Sequence, residues 1–447
     1  MAKYQAYPEY KKTHLGWLNQ IPSHWEVKRL KYLGDALIGL TYSPDEVVGE
    51  EHGTLVLRSS NVQNRQLSFN DNVYVNKKIP EKLVTQKGDI LICARNGSRA
   101  LIGKNAQIDE VAAGMSFGAF MSIFRSPYND YLSKVFNSPL FEYQSGSFLT
   151  ATINQLTTGN LNSFEIPLPT ETEREKIANF LDHETAKIDT LIEKQQQLIA
   201  LLKEKRQAVI SHAVTKGISS LSNADAPMRD SGVEWLGEVP EHWEMVPLKY
   251  LCKFRGGGTP SKENLSYWTG GNIPWVSPKD MKSFWISDTQ DKLTEIAVND
   301  SSTNFVEAGA LLMVVRSGIL QRTIPIAINT VQVTLNQDMK ALKFNERVEV
   351  EYIANYILSN VATLLLEWSK EGATVESIEQ EYLSGSLIPV PPRAEQSAII
   401  CVIKERMSVF QKLEEEAVKG INLLKERRTA LISAAVTGKI DVRHWTP

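Results

Sequence analysis

Cysteine is scarce: Cys93, Cys252 and Cys401 are the three in 447 residues, with no Cys-x-x-Cys pair and no histidine at ligand spacing. Neither a disulfide framework nor a zinc site is suggested, and a reducing cytoplasm fits. No apolar run of about 18 residues occurs, and the opening Met1 to Tyr7 has no apolar core of the signal-peptide kind, so no membrane partner is expected. An excess of one charge is missing too, since the formal net charge is −3. Chains that coat nucleic acid by bulk positive charge are strongly basic, so that class is set aside, while a reader with local basic loops is not. The remaining composition, 42% hydrophobic and 23% charged, is that of a soluble chain long enough for two or three cored domains.

Catalytic signatures are also missing. An adenine methyltransferase needs an Asn/Asp-Pro-Pro-aromatic loop and a glycine-rich cofactor turn, and neither is present. The nearest run, Ser116-Phe-Gly-Ala-Phe120, reads as core. Arg255-Gly-Gly-Gly-Thr-Pro-Ser-Lys262 lacks the Gly-Lys-Ser/Thr ending that brings lysine and hydroxyl to phosphate and magnesium. Pro44-Asp45 with Glu50 and Glu51 hints at a metal nuclease, but no lysine lies two residues after either glutamate. Asp182-His183-Glu184 falls inside a helical pattern and reads as a solvated face. No catalytic residue, metal ligand or cofactor of the chain itself is therefore expected.

What is present is a repetition. Leu202-Lys-Glu-Lys-Arg-Gln-Ala-Val-Ile-Ser-His-Ala-Val-Thr215 returns 222 residues later as Leu424 to Thr437, with ten of fourteen positions identical. Trp17 to Leu33 returns 218 residues later as Trp235 to Leu251, with ten of seventeen identical, including a Pro-x-His-Trp-Glu core. The chain is one long unit written twice, and its variable middles differ in length by only 4 residues. His24 and His242, beside Trp25 and Trp243, read as packed aromatic corners.

Each middle consists of short β-branched runs broken by Gly, Pro, Asn and Asp: Thr54 to Arg58, Asn72 to Val75, Asp89 to Cys93 and Met121 to Phe124 in the first. Such spacing predicts a curled, mostly antiparallel sheet with long loops, accompanied by shorter helices such as Val350 to Leu366. Ile273 to Ser277 corresponds to Thr54 to Ser59, and Gly309 to Gly318 to Gly88 to Gly97. Each middle exits through Ile-Pro-x-Pro, at Ile166 to Pro169 and Ile388 to Pro391. Thr172 to Glu175 then reads as a capping box opening a long helix. Leu181, Ile188, Gln195 and Leu202 recur at heptad spacing, with Leu191 and Leu198 interleaved. In the second copy Ile400, Met407 and Ile421 alternate with Ile403, Phe410, Ala417 and Leu424. Sustained heptads predict a coiled-coil seam. Two helices of about 60 Å each are expected to pair within the chain, because neither can bury its stripe alone. Gln195 and Glu414 interrupt the seam and would fix its register.

The fold class is therefore α+β: two mostly-β domains and two long antiparallel coiled-coil helices, arranged as an internal tandem repeat. The expected boundaries are a first domain over 1–170, a helix over 171–215, a linker over 216–232, a second domain over 233–392, a helix over 393–437 and a tail over 438–447.

Matching loops carry the candidate site. Arg95-Asn-Gly-Ser-Arg99, with Lys104 beyond, follows a strand in the first half, and Arg316-Ser-Gly-Ile-Leu-Gln-Arg322 follows one in the second. Arginine can fork onto a guanine edge or bind phosphate, while Asn96, Ser98, Ser317 and Gln321 offer shorter hydrogen bonds. The earlier loops add Thr41, Ser43, Thr259, Ser261 and Lys262. The strand ends add Arg58, Ser59, Asn61, Ser277, Lys279 and Lys282, suited to positioning phosphate.

Taken together, the Pro-x-His-Trp-Glu openings, Gly258-Thr-Pro-Ser-Lys262, Ile273-Pro-Trp-Val-Ser277, Gly88-Asp-Ile-Leu91 with its Arg-x-Gly, the Ile-Pro-x-Pro exits and the Leu-Leu-Lys-Glu-x-Arg helix ends resemble the specificity subunit of type I restriction-modification systems over residues 16–440. The resemblance implies two target-recognition domains, held apart by the two helices, each reading half of a split, asymmetric double-stranded DNA site, without catalysis. It also implies two modification subunits that methylate adenine N6 with S-adenosylmethionine, and restriction subunits driven by ATP and magnesium. Helix residues Ile188, Leu191, Leu198, Leu202, Arg206, Met407, Phe410, Ile421, Leu424 and Arg428 are the expected spacer and docking positions. Leu40-Thr-Tyr-Ser-Pro44 departs from the family's Gly-Thr-Pro-Ser-Lys. An enzyme with an unrecognised site and a protein-binding coiled-coil scaffold are the alternatives; methyl transfer by the chain alone would mark the first, indifference to DNA the second.

Overall fold

The structure, a computed structural model, describes residues 4–148, 154–218, 227–369 and 376–446. The chain divides into two units, Met1–Gln196 with Val418–Pro447, and Gln197–Ala417. Neither unit is one sequence repeat. Each contains one recognition domain, the start of the long helix that follows it and the end of the long helix from the other repeat.

In the first unit the strand Ile90–Cys93 lies centrally in the sheet order Asn105–Gln107, Ile90–Cys93, Met121–Arg125, Asp35–Ile38. Its four residues are all buried because the strand has a core on each face. Ile90 and Ile92 join helix residues including Phe136, Phe141 and Ile177, while Leu91 and Cys93 join a second sheet around Val56, Leu57 and Phe117. Side chains alternate across a strand, so an unbroken apolar run needs two apolar environments. The second unit repeats this arrangement in Leu311–Val314: Leu311 and Met313 face one core, Leu312 and Val314 the other. Pairing is mostly antiparallel; Val56–Leu57 runs parallel to Ser116–Phe117 with its counterpart at Trp275–Val276 against Thr334–Leu335, and the second unit adds a parallel pair of Trp285–Ile286 with Ile328–Asn329.

The long helices run Glu171–Lys216 and Arg393–Val436. The capping box of the first lies two residues before its expected place. The Thr170 hydroxyl and amide donate to the Glu173 carboxylate at 2.7 and 3.3 Å. Glu173 also accepts from Trp25 Nε1 at 3.4 Å and lies 2.9 Å from His24 Nε2. Glu395 receives Trp243 and lies 2.8 Å from His242 in the same way. The histidines therefore do more than pack beside tryptophans: the repeated His-Trp pair grips the third residue of each long helix. At the other ends, the last turn leaves carbonyls without helical partners. The Tyr131 hydroxyl lies 2.8 and 3.3 Å from the carbonyls of Pro167 and Val436, and the Tyr352 hydroxyl lies 2.9 Å from those of Pro389 and Val214. Gly217 and Gly438 then turn the chain with φ of 80° and 72°.

The seam follows Leu181, Ile188 and Ile192 in the first unit, and Leu202 is buried in the second. Leu191 is 47% exposed and Leu198 is also exposed, whereas Ile192 and Ile199 are partly covered. The interleaved position is thus one residue later than expected, a rotation of about 100° around the helix. In the second helix Ile400, Ile403, Phe410 and Ala417 are buried in one unit and Ile421 in the other, as expected, with Met407 and Leu424 partly buried. Arg206 is exposed, and Arg428 pairs with Asp189 at 3.0 Å. Of the expected linker, residues 219–226 lie outside the described residues, and Met228–Asp230 is no linker: it is a strand paired with Glu238–Pro240. The expected helix over Val350 to Leu366 is two, Val350–Ser359 and Val361–Trp368.

Candidate nucleic-acid interface

Backbone hydrogen bonds draw the candidate loops of the first unit onto one segment, Phe117 to Phe120. Leu40 N donates to Phe117 O at 2.7 Å, Gly118 N to Leu57 O at 3.0 Å, and Ala94 N and Arg95 N to Phe120 O at 3.0 and 2.9 Å. The crossing is so close that a Cβ on Gly39 would stand 2.2 Å from Gly118 O. Only glycine permits that approach. Around it, Asn96 Nδ2 donates to Ser59 Oγ at 3.3 Å and Lys104 Nζ to Ser59 O at 3.2 Å. The Arg95 guanidinium sits 5.3 Å from the centre of the Phe120 ring, a cation–π contact.

The second unit makes the same crossing with Leu335 to Met339. Gly258 N donates to Leu335 O at 2.8 Å, and Val315 N and Arg316 N donate to Asp338 O at 2.8 and 3.3 Å. A Cβ on Gly257 would stand 2.0 Å from Asn336 O. Thr259 donates to Gln337. Arg316 here turns to a carboxylate: its Nε and Nη2 both reach Asp338 at 2.7 Å. Beyond the crossing, Gln155 bridges Arg95 and Ser377 bridges Arg316.

Residues 22–201 and 240–422 match the family model of the type I restriction modification DNA specificity domain. The chain belongs to this family. It is similar to the EcoR124I/EcoR124II specificity subunit of Escherichia coli, 38% identical over 191 residues, 43% of this chain and 46% of that protein, so the match spans less than half of that relative. It is also similar to the EcoKI specificity subunit of Escherichia coli K12, 20% identical over 439 residues, 95% of this chain and 91% of that one. Among solved structures it resembles the HsdS subunit from Thermoanaerobacter tengcongensis (TM-score 0.52, 14% identity, 94% and 98% of the two chains). A chain from a study of assembly and conformational transition of the type I R-M system gives a TM-score of 0.64 at 16% identity, over 94% and 99% of the two chains. At these identities the likeness is one of fold.

Not every expected residue of this specificity-family chain is free to meet a ligand. Asn61 is 0% exposed; its amide donates to Ser68 O and Asp71 O and its carbonyl accepts from Arg58 N. Ser277 is 3% exposed and caps a short helix through Asp280. Both hold loops in place, because a buried polar group needs internal partners. Ser43 caps in the same way through Glu46, and Ser317 Oγ accepts from Ile319 N. Arg58 pairs with Asp71 at 2.9 Å, Lys279 with Asp291 at 3.5 Å, and Arg99 donates to Gly146 O. Thr41, Ser98, Ser261, Lys262, Lys282, Gln321 and Arg322 are exposed. The segments at Phe117 to Phe120 and Leu335 to Asp338 were missed. Phe117 is buried as core, but Phe120, expected beside it in the core, is 60% exposed. The only sequence signal for it is a second aromatic placed out of step with the strand alternation.

Among the described residues, no group of three His, Cys, Asp or Glu is placed to hold a metal ion, and no helix is long and apolar enough to cross a membrane. Asp182 instead pairs with Lys134, and Glu184 accepts from Tyr4.

Proposed function

We propose that each unit reads one half of a split double-stranded DNA site, and that the chain serves as the specificity subunit that directs adenine N6 methylation by two modification subunits and cleavage by restriction subunits. S-adenosylmethionine and ATP with magnesium would then be bound by those partners. The observation that carries this reading is the paired crossing. The same frame presents an arginine at Arg95 and Arg316, yet the residue beneath differs, Phe120 in one unit and Asp338 in the other. A shared frame with divergent contacts is what two half-sites of different sequence require.

Partner docking is supported by apolar side chains that neither unit covers. Leu191, Val418 and Leu423 are exposed in the first, and Leu198, Leu201, Val409 and Leu413 in the second. All lie on the long helices, ahead of the helix ends where the two repeats agree best in sequence. A net charge of −3 poses no obstacle, because partners can share phosphate neutralisation.

The test is to co-express the chain with a modification subunit and map N6-methyladenine across the host genome. A new split motif, with a fixed gap and one modified adenine on each strand, is the expected result. An assembled complex that leaves no new mark would reject the reading.

A further inference from the structure

We infer that Phe120 determines specificity in the first unit by taking the 5-methyl group of a thymine in the DNA major groove, an inference that rests on the DNA-reading role proposed above. Phe117 and Phe120 lie three residues apart, one fully buried and the other 60% exposed. The backbone that carries the exposed ring is fixed in place: the Phe120 carbonyl accepts from Ala94 N and Arg95 N, and the segment is pinned to Leu40 and Leu57. The ring therefore projects from the point where the candidate loops meet. Arg95 covers it with a cation, so the unit offers an apolar ring and a guanidinium side by side.

The chemistry of the groove selects a partner for that pair. Thymine is the base that presents an apolar methyl group in the major groove, while guanine and phosphate accept from arginine. Burying a methyl against the ring removes apolar surface from water only in the complex. The second unit supplies the contrast, since the equivalent place holds Asp338, a carboxylate that accepts from Arg316 and would meet a methyl group unfavourably.

The experiment uses the assembled methyltransferase complex and duplexes carrying its mapped site, with each thymine of both half-sites replaced in turn by uracil, which differs only by the missing methyl. Wild type is expected to lose about fourfold in methylation rate at one thymine, the order set by burying one methyl group. Phe120→Ala is expected to methylate the thymine and uracil forms of that position equally, and Phe120→Leu to restore the preference. The inference is overturned if no uracil replacement affects wild type, if the site contains no thymine, or if Phe120→Ala keeps the preference. It is also overturned if Phe120→Leu behaves like alanine, which would make the ring a platform for Arg95 only. Failure to obtain any split motif would instead reject the DNA-reading role itself.

Discussion

Glu173 carries more structure than its place on a helix surface suggests. Burial opposes its ionisation, but His24, Thr170 and Trp25 together outweigh that cost and hold the carboxyl below its ordinary value of 4.5. A group whose pKa falls on folding stabilises the fold above its unfolded value and loses that contribution as pH drops through the folded one. The thermal stability of wild type should therefore fall on acidification below 4.5 more steeply than that of Glu173→Gln, whose amide does not titrate. Parallel curves for the two proteins would deny Glu173 this role. At the opposite helix end, Tyr352→Phe removes the hydroxyl that meets the Val214 and Pro389 carbonyls. A loss of about 1–3 kcal/mol is expected in denaturant unfolding, the usual cost of leaving buried acceptors unmet. In the candidate interface, Arg316→Ala should relax reading at one base position by about 1–3 kcal/mol and leave assembly intact, as judged by methylome mapping and size-exclusion chromatography. An unchanged motif would remove Arg316 from the site.

Elements differ in how openly the sequence announces them. The long helices are written in their heptads and in the Ile-Pro-x-Pro exits that precede them, because their stabilising contacts recur at short, regular spacing. The register of the first helix is less plain: Leu191 and Ile192 are both apolar, and which one faces the seam depends on the helix it meets. Capping residues hide for a similar reason. Asn61 and Ser277 look like loop groups until the short helices they hold are seen. The crossing segments were hidden more deeply, since Leu40, Leu57, Arg95 and Phe120 come together through backbone bonds that leave no composition signal. The seam itself can be tested by comparing neighbours. Leu202→Glu places a charge in a buried position and should cost about 2–4 kcal/mol. Leu198→Glu, on an exposed one, should leave the fold unchanged but weaken co-purification of the modification subunit. Equal destabilisation by both would return the seam to Leu198.

At the scale of the whole chain, the units do not follow the repeats. The helix end that completes the first domain, Ala434 to Val436, comes from the second repeat, and the end that completes the second domain, Ala213 and Val214, comes from the first. A gene carrying one repeat alone would then encode a chain with a vacant seat beneath Tyr131 and an unseated helix end at Val214. Two copies could satisfy each other by reciprocal exchange, giving a twofold-symmetric dimer. Residues 1–218 expressed alone should accordingly sediment as a dimer, and a stable monomer would disprove the exchange. Such a dimer would present the same recognition surface twice and so favour palindromic DNA. Duplication within one chain is what releases the two surfaces to diverge, and with them the symmetry of the target.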